Sequence, residues 1–269
     1  MTYAYVVNQA IPIVESVNGR SGVVNFEGSE SVLVKNTRDG IKFEVHPDIL
    51  GGLGPGGDSN HAGEGEDSIA LGNGSTATGD RSIAIGNANT ASGVNTSVVG
   101  KSNNVVSSYS AALGNENVVT GESSFTVGSY NNIISSGGDV VVSRGNYISG
   151  QDSFAVGNYN TISVSGSTFG NNNIVNGVNG AVIGSKNEAN GERSYAFGYQ
   201  NIVSSIGSVA IGRGNGVTRN YSISLGKGNT ATGIGSAIMG QGNTARGGDN
   251  FAIGDNNKWT EQVVLLLNL

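Results

Sequence analysis

Side chains that do acid–base, nucleophilic or metal chemistry are scarce in this 269-residue chain. His46 and His61 are the only histidines, both fall outside the repetitive part of the sequence, and there is no cysteine. A Ser-His-Asp relay or a multi-histidine metal centre within the repeats is thereby excluded, as are disulfides, thiolate ligands and cysteine nucleophiles. Carboxylates remain, since a pair of them suffices to hydrolyse a glycosidic bond. Glu64, Glu66 and Asp67 sit in a glycine-rich stretch, whereas Asp80, Glu122, Asp152, Glu192 and Asp249 recur between the second strand of a repeat and the start of the next. Such recurrence marks a solvated corner. The Gly-Gly-Asp segments at 56–58, 137–139 and 247–249 would suit calcium if a nine-residue period followed them, and none does. The glycine-rich run Gly51 to Asp58 lacks the Lys-Ser/Thr of a phosphate loop. The expectation is a non-enzymatic protein with no catalytic residue, no cofactor and no assigned metal site.

What positions these residues is a repeat. Starting from the glycine that ends Ser68-Ile69-Ala70-Leu71-Gly72, equivalent positions fall at Gly86, Gly100, Gly114, Gly128, Ser143, Gly157, Gly170, Gly184, Gly198, Gly212, Gly226, Gly240 and Gly254. Every step is 14 residues except one of 15 (128 to 143) and one of 13 (157 to 170). Three places further on stand Asn89, Asn103, Asn117, Asn131, Asn146, Asn160, Asn173, Asn187, Asn201, Asn215, Asn229, Asn243 and Asn257, with Ser75 as the exception. Asn accepts left-handed turns and stacked amides can bond one another, so this column reads as a structural ladder and not as a ligand strip.

Five places beyond the anchor, Ala77, Ala91, Val105, Val119, Ile133 and their equivalents predict the inward position of a second short strand. Before the anchor the first strand alternates, with Ile69 and Leu71, Phe125 and Val127, or Tyr195 and Phe197 sharing one face. Between them lie small apolar residues: Ala70, Ala84, Val98, Ala112, Ala155, Val182, Ala196, Ala210 and Ala252. A strand apolar on both faces is covered on both sides. We assign the bulky face to the core of each coil and the small-residue column to contacts between identical chains, because so few modest side chains per coil cannot offset the ordering of fourteen residues. The expected fold is all-β: a parallel β-roll or β-solenoid of about 14-residue coils, oligomeric, with a small N-terminal β module. At an inter-strand spacing of ~4.8 Å the fourteen anchors give a shaft on the order of 65 Å long.

Composition agrees. The 45 glycines, 13% charged residues and 6% aromatics suit tight turns around a thin core. A net charge of −6 with scattered basic residues argues against nucleic acid, and no apolar run approaches the ~20 residues that span a bilayer, so no membrane insertion is expected. Residues 1–7 lack the features of a secretory signal.

Segments such as Ser82-Ile83-Ala84-Ile85-Gly86-Asn87-Ala88-Asn89-Thr90-Ala91-Ser92-Gly93 and Ser222-Ile223-Ser224-Leu225-Gly226-Lys227-Gly228-Asn229-Thr230-Ala231-Thr232-Gly233 resemble the head repeats of YadA-like trimeric autotransporter adhesins. The resemblance spans about residues 66–258. It implies a left-handed roll, a homotrimer, and a protein that grips matrix or other cells. The coiled-coil stalk and membrane barrel of complete autotransporters have no counterpart in this sequence.

Residues 1–50 have no 14-residue period. Val32 and Val34, a polar turn at Asn36 to Gly40, then Ile41, Phe43 and Val45 predict a hairpin. The segment Ser16-Val17-Asn18-Gly19 to Gly22-Val23-Val24 resembles a short motif near the N-termini of bacteriophage tail-fibre and head-fibre proteins. The expected organisation is therefore 1–50, a β module attached to other virion structural proteins; 51–65, a glycine-rich linker; 66–258, the shaft; and 259–269, a cap beginning at Trp259. A tail-associated virion fibre that binds a bacterial surface glycan or protein without covalent chemistry, a capsid (head) fibre, and a fragment of a bacterial surface adhesin are the three readings left open.

Overall fold

The computed structural model describes residues 65–260, a strand pair at 32–37 and 40–45, and strand residues 266–267. His46, His61, Glu64, the Val17–Phe26 segment, most of the 51–65 linker and most of the 259–269 cap lie outside the described residues. The chain divides into two compact units, Met1–Asp58 and Ser59–Leu269. In the first, β1 (Val32–Thr37) and β2 (Gly40–Val45) pair antiparallel from Val32 opposite Val45 to Thr37 opposite Gly40.

The second unit is a parallel β-solenoid, and no helix occurs among the described residues. Each coil contributes a long strand and a two-residue short strand, as in β3 (Ile69–Leu71), β4 (Thr76–Ala77), β5 (Ile83–Asn87) and β6 (Thr90–Ala91). Long strands stack into one 15-stranded sheet and short strands into a 14-stranded sheet. Every residue pairs with its equivalent one coil on: Ala84 with Val98, Gly86 with Gly100, Ala91 with Val105. Leu266–Leu267 adds the last strand to the long-strand sheet.

Between the sheets there is room for one side chain from each per coil. Ala84 and Ala91, Val98 and Val105, and Ala155 and Ile162 are all fully buried. In some coils a small residue accompanies a larger one, as Ala155 does Ile162, Ala189 does Val182 and Ala245 does Ile238. This inverts the assignment of faces made from the sequence. Ala70, Ala84, Val98, Ala112, Ala155, Val182, Ala196, Ala210 and Ala252 lie inside the single chain at 0–4% exposure, so they cannot form the trimer interface. The bulky residues flanking them in sequence point outward. The reason is volume: two strands closed into a coil of about fourteen residues leave too thin an interior for two Ile or Phe side chains per strand.

Two polar columns wall this core. On one side Asn160 donates through Nδ2 to Asn146 Oδ1 (3.0 Å) and to the Gly170 carbonyl (2.8 Å), while its own Oδ1 accepts from the backbone N–H and Nδ2 of Asn173 (both 3.1 Å). The same connections recur along the column, and at its start Ser75 Oγ accepts the Asn89 N–H. On the other side runs a column of hydroxyls, in which Ser110 donates to the Gly121 carbonyl (2.8 Å) and accepts the Ser124 N–H (3.1 Å). The anchor glycine is required by space as well as conformation: at Gly86, with φ +125°, a Cβ would stand 1.9 Å from the Gly100 carbonyl oxygen. Both irregular steps fall in the turn from short to long strand, the longer at Gly137 and Gly138, so that the sheets keep their register.

Replacing Asn160 by Ala strands the buried Asn173 N–H and Gly170 carbonyl, and should cost about 2–4 kcal/mol in chemical denaturation; Asp, which cannot donate to Asn146, should cost more. Conversely, the buried Thr168 hydroxyl has no hydrogen-bond partner, and Thr168→Val should raise stability by about 1 kcal/mol. A neutral Asn160→Ala, or a destabilising Thr168→Val, would contradict this account of the walls and core.

Candidate functional site

Strand alternation places the residue before each anchor on the outer face of the long-strand sheet. In order along the shaft that column reads Leu71, Ile85, Val99, Leu113, Val127, Val142, Val156, Phe169, Ile183, Phe197, Ile211, Leu225, Met239 and Ile253, apolar in all fourteen coils. Two residues earlier, on the same face, stand Ile69, Ile83, Phe125, Phe154, Tyr195, Ile223 and Phe251 among others. Ile183 is 50% exposed, Met239 46% and Phe169 45%. The outer face of the short-strand sheet is different, carrying Thr76, Thr90, Asn104, Asn132, Thr161, Glu188, Thr230, Thr244 and Lys258 alongside a few apolar residues. One side of the shaft is thus a continuous apolar stripe and the other is largely polar. A stripe of this extent is the signature of an interaction surface.

Sequence reasoning found these residues but gave them the wrong role. The available signal was that the column before the anchor is always bulky, whereas its inward neighbour varies among Ala, Val, Ile, Thr and Ser, as a position limited by volume must.

The other expected positions separate cleanly. The asparagine column from Asn89 to Asn257 is buried, and its amides bond to one another and to backbone, so it presents no ligand strip. Glu66, Asp67, Asp80, Glu122, Asp152, Glu192 and Asp249 lie exposed in the turns that lead into long strands. They converge on no common point: among the described residues no three His, Cys, Asp or Glu side chains gather as metal ligands would. Glu192 meets the adjacent Arg193 at 3.0 Å in solvent. Trp259 packs against the end of the core.

One carboxylate, weighed in the sequence only as the end of a Gly-Gly-Asp segment, is buried. Asp139 occupies the hydroxyl column in the 15-residue step and is fully buried. It accepts hydrogen bonds from Ser135 Oγ, from the Ser153 N–H (2.8 Å) and from Ser124 Oγ (3.4 Å). Burial raises its pKa above the usual carboxylate value, the three hydrogen bonds oppose that rise, and the charge of Asp152 adds to it. The clue lay in alignment to the anchor, since four places before it most coils carry Ser or Thr.

Residues 64–89 and 189–215 match the YadA head domain repeat. No curated protein matches the chain. The two matched segments share their period and anchor glycines with the coils between them.

A carboxyl whose folded pKa is raised contributes stability that is fully present below the unfolded value near 3.8 and is lost as pH rises through the folded value. Asp139→Asn should therefore be more stable than the parent at pH 7, with the advantage vanishing below pH ~4. Urea midpoints across pH 3–8 check this, and an advantage independent of pH would contradict it.

Proposed function

We propose that the chain is the shaft of a homotrimeric, adhesin-like surface fibre that works by non-covalent binding and not by catalysis. The observation that carries this reading is the apolar stripe on the long-strand sheet. The whole face of that sheet, about five residues wide and some 65 Å long with the apolar stripe running along it, offers on the order of 1,000 Å² per chain, enough for a stable assembly. Two further copies, each turning the same face to a common axis, cover it completely. The interface is then built from the column Leu71 to Ile253 and its companion from Ile69 to Phe251, and the trimer expected from the sequence is kept with the faces exchanged. The match to head repeats of a trimeric adhesin supports the same stoichiometry.

The particle to which the fibre belongs is read from the N-terminal segment Val17-Asn18-Gly19 to Gly22-Val23-Val24, whose resemblance to phage fibre proteins favours a virion. In this reading residues 1–50 attach to other virion proteins, residues 51–65 form the joint, residues 66–258 project, and the cap at 259–269 points away. Its partner would be a glycan or protein on a bacterial surface, reached from the tail. The repeat match favours a second reading equally, a bacterial surface adhesin.

In sedimentation experiments the purified chain should run as a trimer, and Ile183→Lys with Ile211→Lys should dissociate it while circular dichroism keeps its β signal. A parent chain that is monomeric would overturn the assembly. Labelled antibody on imaged particles separates tail, capsid and bacterial cell surface. Trimer that neither binds bacteria nor competes with adsorption would remove the attachment role.

A further inference from the structure

The two edges of the long-strand sheet carry opposite charge. At the edge where long strands end, Lys101, Arg144, Lys186, Arg213 and Lys227 stand exposed against Glu116 and Asp255. At the edge where they begin, seven carboxylates from Glu66 to Asp249 stand against Arg81, Arg193, Arg219 and Arg246. Three parallel chains around a three-fold axis meet edge to edge, and the symmetry forces the ending edge of one chain against the beginning edge of the next. We propose that these edges form ion pairs between neighbouring chains that fix the order and axial register of the trimer, an inference that rests on the trimeric reading above.

Register supplies the second argument. Asp80 leads into the long strand Ile83–Asn87, and Lys101 ends the next one, Ser97–Lys101. Glu122 leads into Phe125–Ser129, and Arg144 ends the next one, Val140–Arg144. Glu192 leads into Tyr195–Tyr199, and Arg213 ends the next one, Val209–Arg213. Closed three-fold symmetry leaves no axial shift between chains, so each pair spans a one-coil offset of ~4.8 Å by side-chain reach, and the same offset serves all three pairs. At the same offset Glu116 and Asp255 meet no acid, while Lys186 and Lys227 meet neither sign. Arg81 and Arg193 adjoin two of the three acids, and each is engaged within its own chain: Arg81 with Asn95 at 2.9 Å, Arg193 with Glu192 at 3.0 Å. Glu122 has no such neighbour, which makes Arg144–Glu122 the cleanest pair.

The cations are also held in place. The Arg144 guanidinium lies 5.1 Å from the centre of the Tyr130 ring and 6.0 Å from that of Tyr159, and Arg213 lies 5.6 Å from Tyr199. Tyr130 and Tyr159 occupy the left-handed turn position (φ 58° and 56°) that other coils fill with residues such as Ala88, Ser102 or Gly228. Clamping an arginine between two rings reduces the side-chain freedom it would lose on pairing with a neighbour.

Charge reversal with rescue tests the proposal. Arg144→Glu and Glu122→Arg should each raise the concentration at which trimer dissociates by about tenfold or more, because like charges then meet at all three edges. The double swap should return it to near the parent value. The cysteine-free chain also permits a geometric readout: Glu122→Cys with Arg144→Cys should give covalent trimers on mild oxidation, and Glu122→Cys with Arg213→Cys should not. A trimeric parent whose single reversals are neutral, or whose double swap gives no rescue and no cross-link, overturns the ion pairing and leaves the trimer standing. A monomeric parent overturns both.

Discussion

Everything in the shaft follows from the thinness of its coil. Two parallel strands closed by tight turns in fourteen residues admit one side chain, no larger than Ile, from each sheet, and the remaining interior is filled by an amide on one side and a hydroxyl on the other. Bulk is expelled by volume and not by polarity. The hydrophobic residues that would form the centre of a globular domain are here placed on the outside, where they remain a liability until another surface covers them.

Burying an asparagine in every coil is tolerable because the amide has two donor hydrogens and two acceptor lone pairs, and stacking places all of them in bonds. The column thus turns what would be a cost into a rail that holds successive coils in register. Where the rail begins, a serine hydroxyl replaces the amide. Where the hydroxyl column is broken by Asp139, the extra residue in that coil widens the turn and lets in a carboxyl that burial disfavours as an anion.

Much of this was legible from spacing alone. Identity at a fixed interval reveals the period, the anchor glycines, the amide column and the inward position of the second strand, because each is a demand repeated by every coil. Which face of the first strand looks inward was not legible from alternation. A two-residue period states which side chains share a face and is silent about which face is enclosed. The usual preference for large apolar residues inside pointed the wrong way, and only the width of the coil decides the matter. The charged edges were invisible for a related reason: Lys101, Arg144 and Arg213 share a column with polar residues of no fixed type, and their common offset from Asp80, Glu122 and Glu192 has meaning only once the turns are seen to be opposite edges of one sheet.

The two irregular steps, of fifteen and thirteen residues, are both absorbed in the turn from short to long strand while the sheets run on undisturbed. Sequence can therefore be inserted or deleted at that corner without breaking the rails, and whole coils can be added without altering either end. Each added coil extends the shaft by ~4.8 Å. Reach becomes a quantity that such a fibre adjusts in small equal increments, independently of whatever its two ends hold.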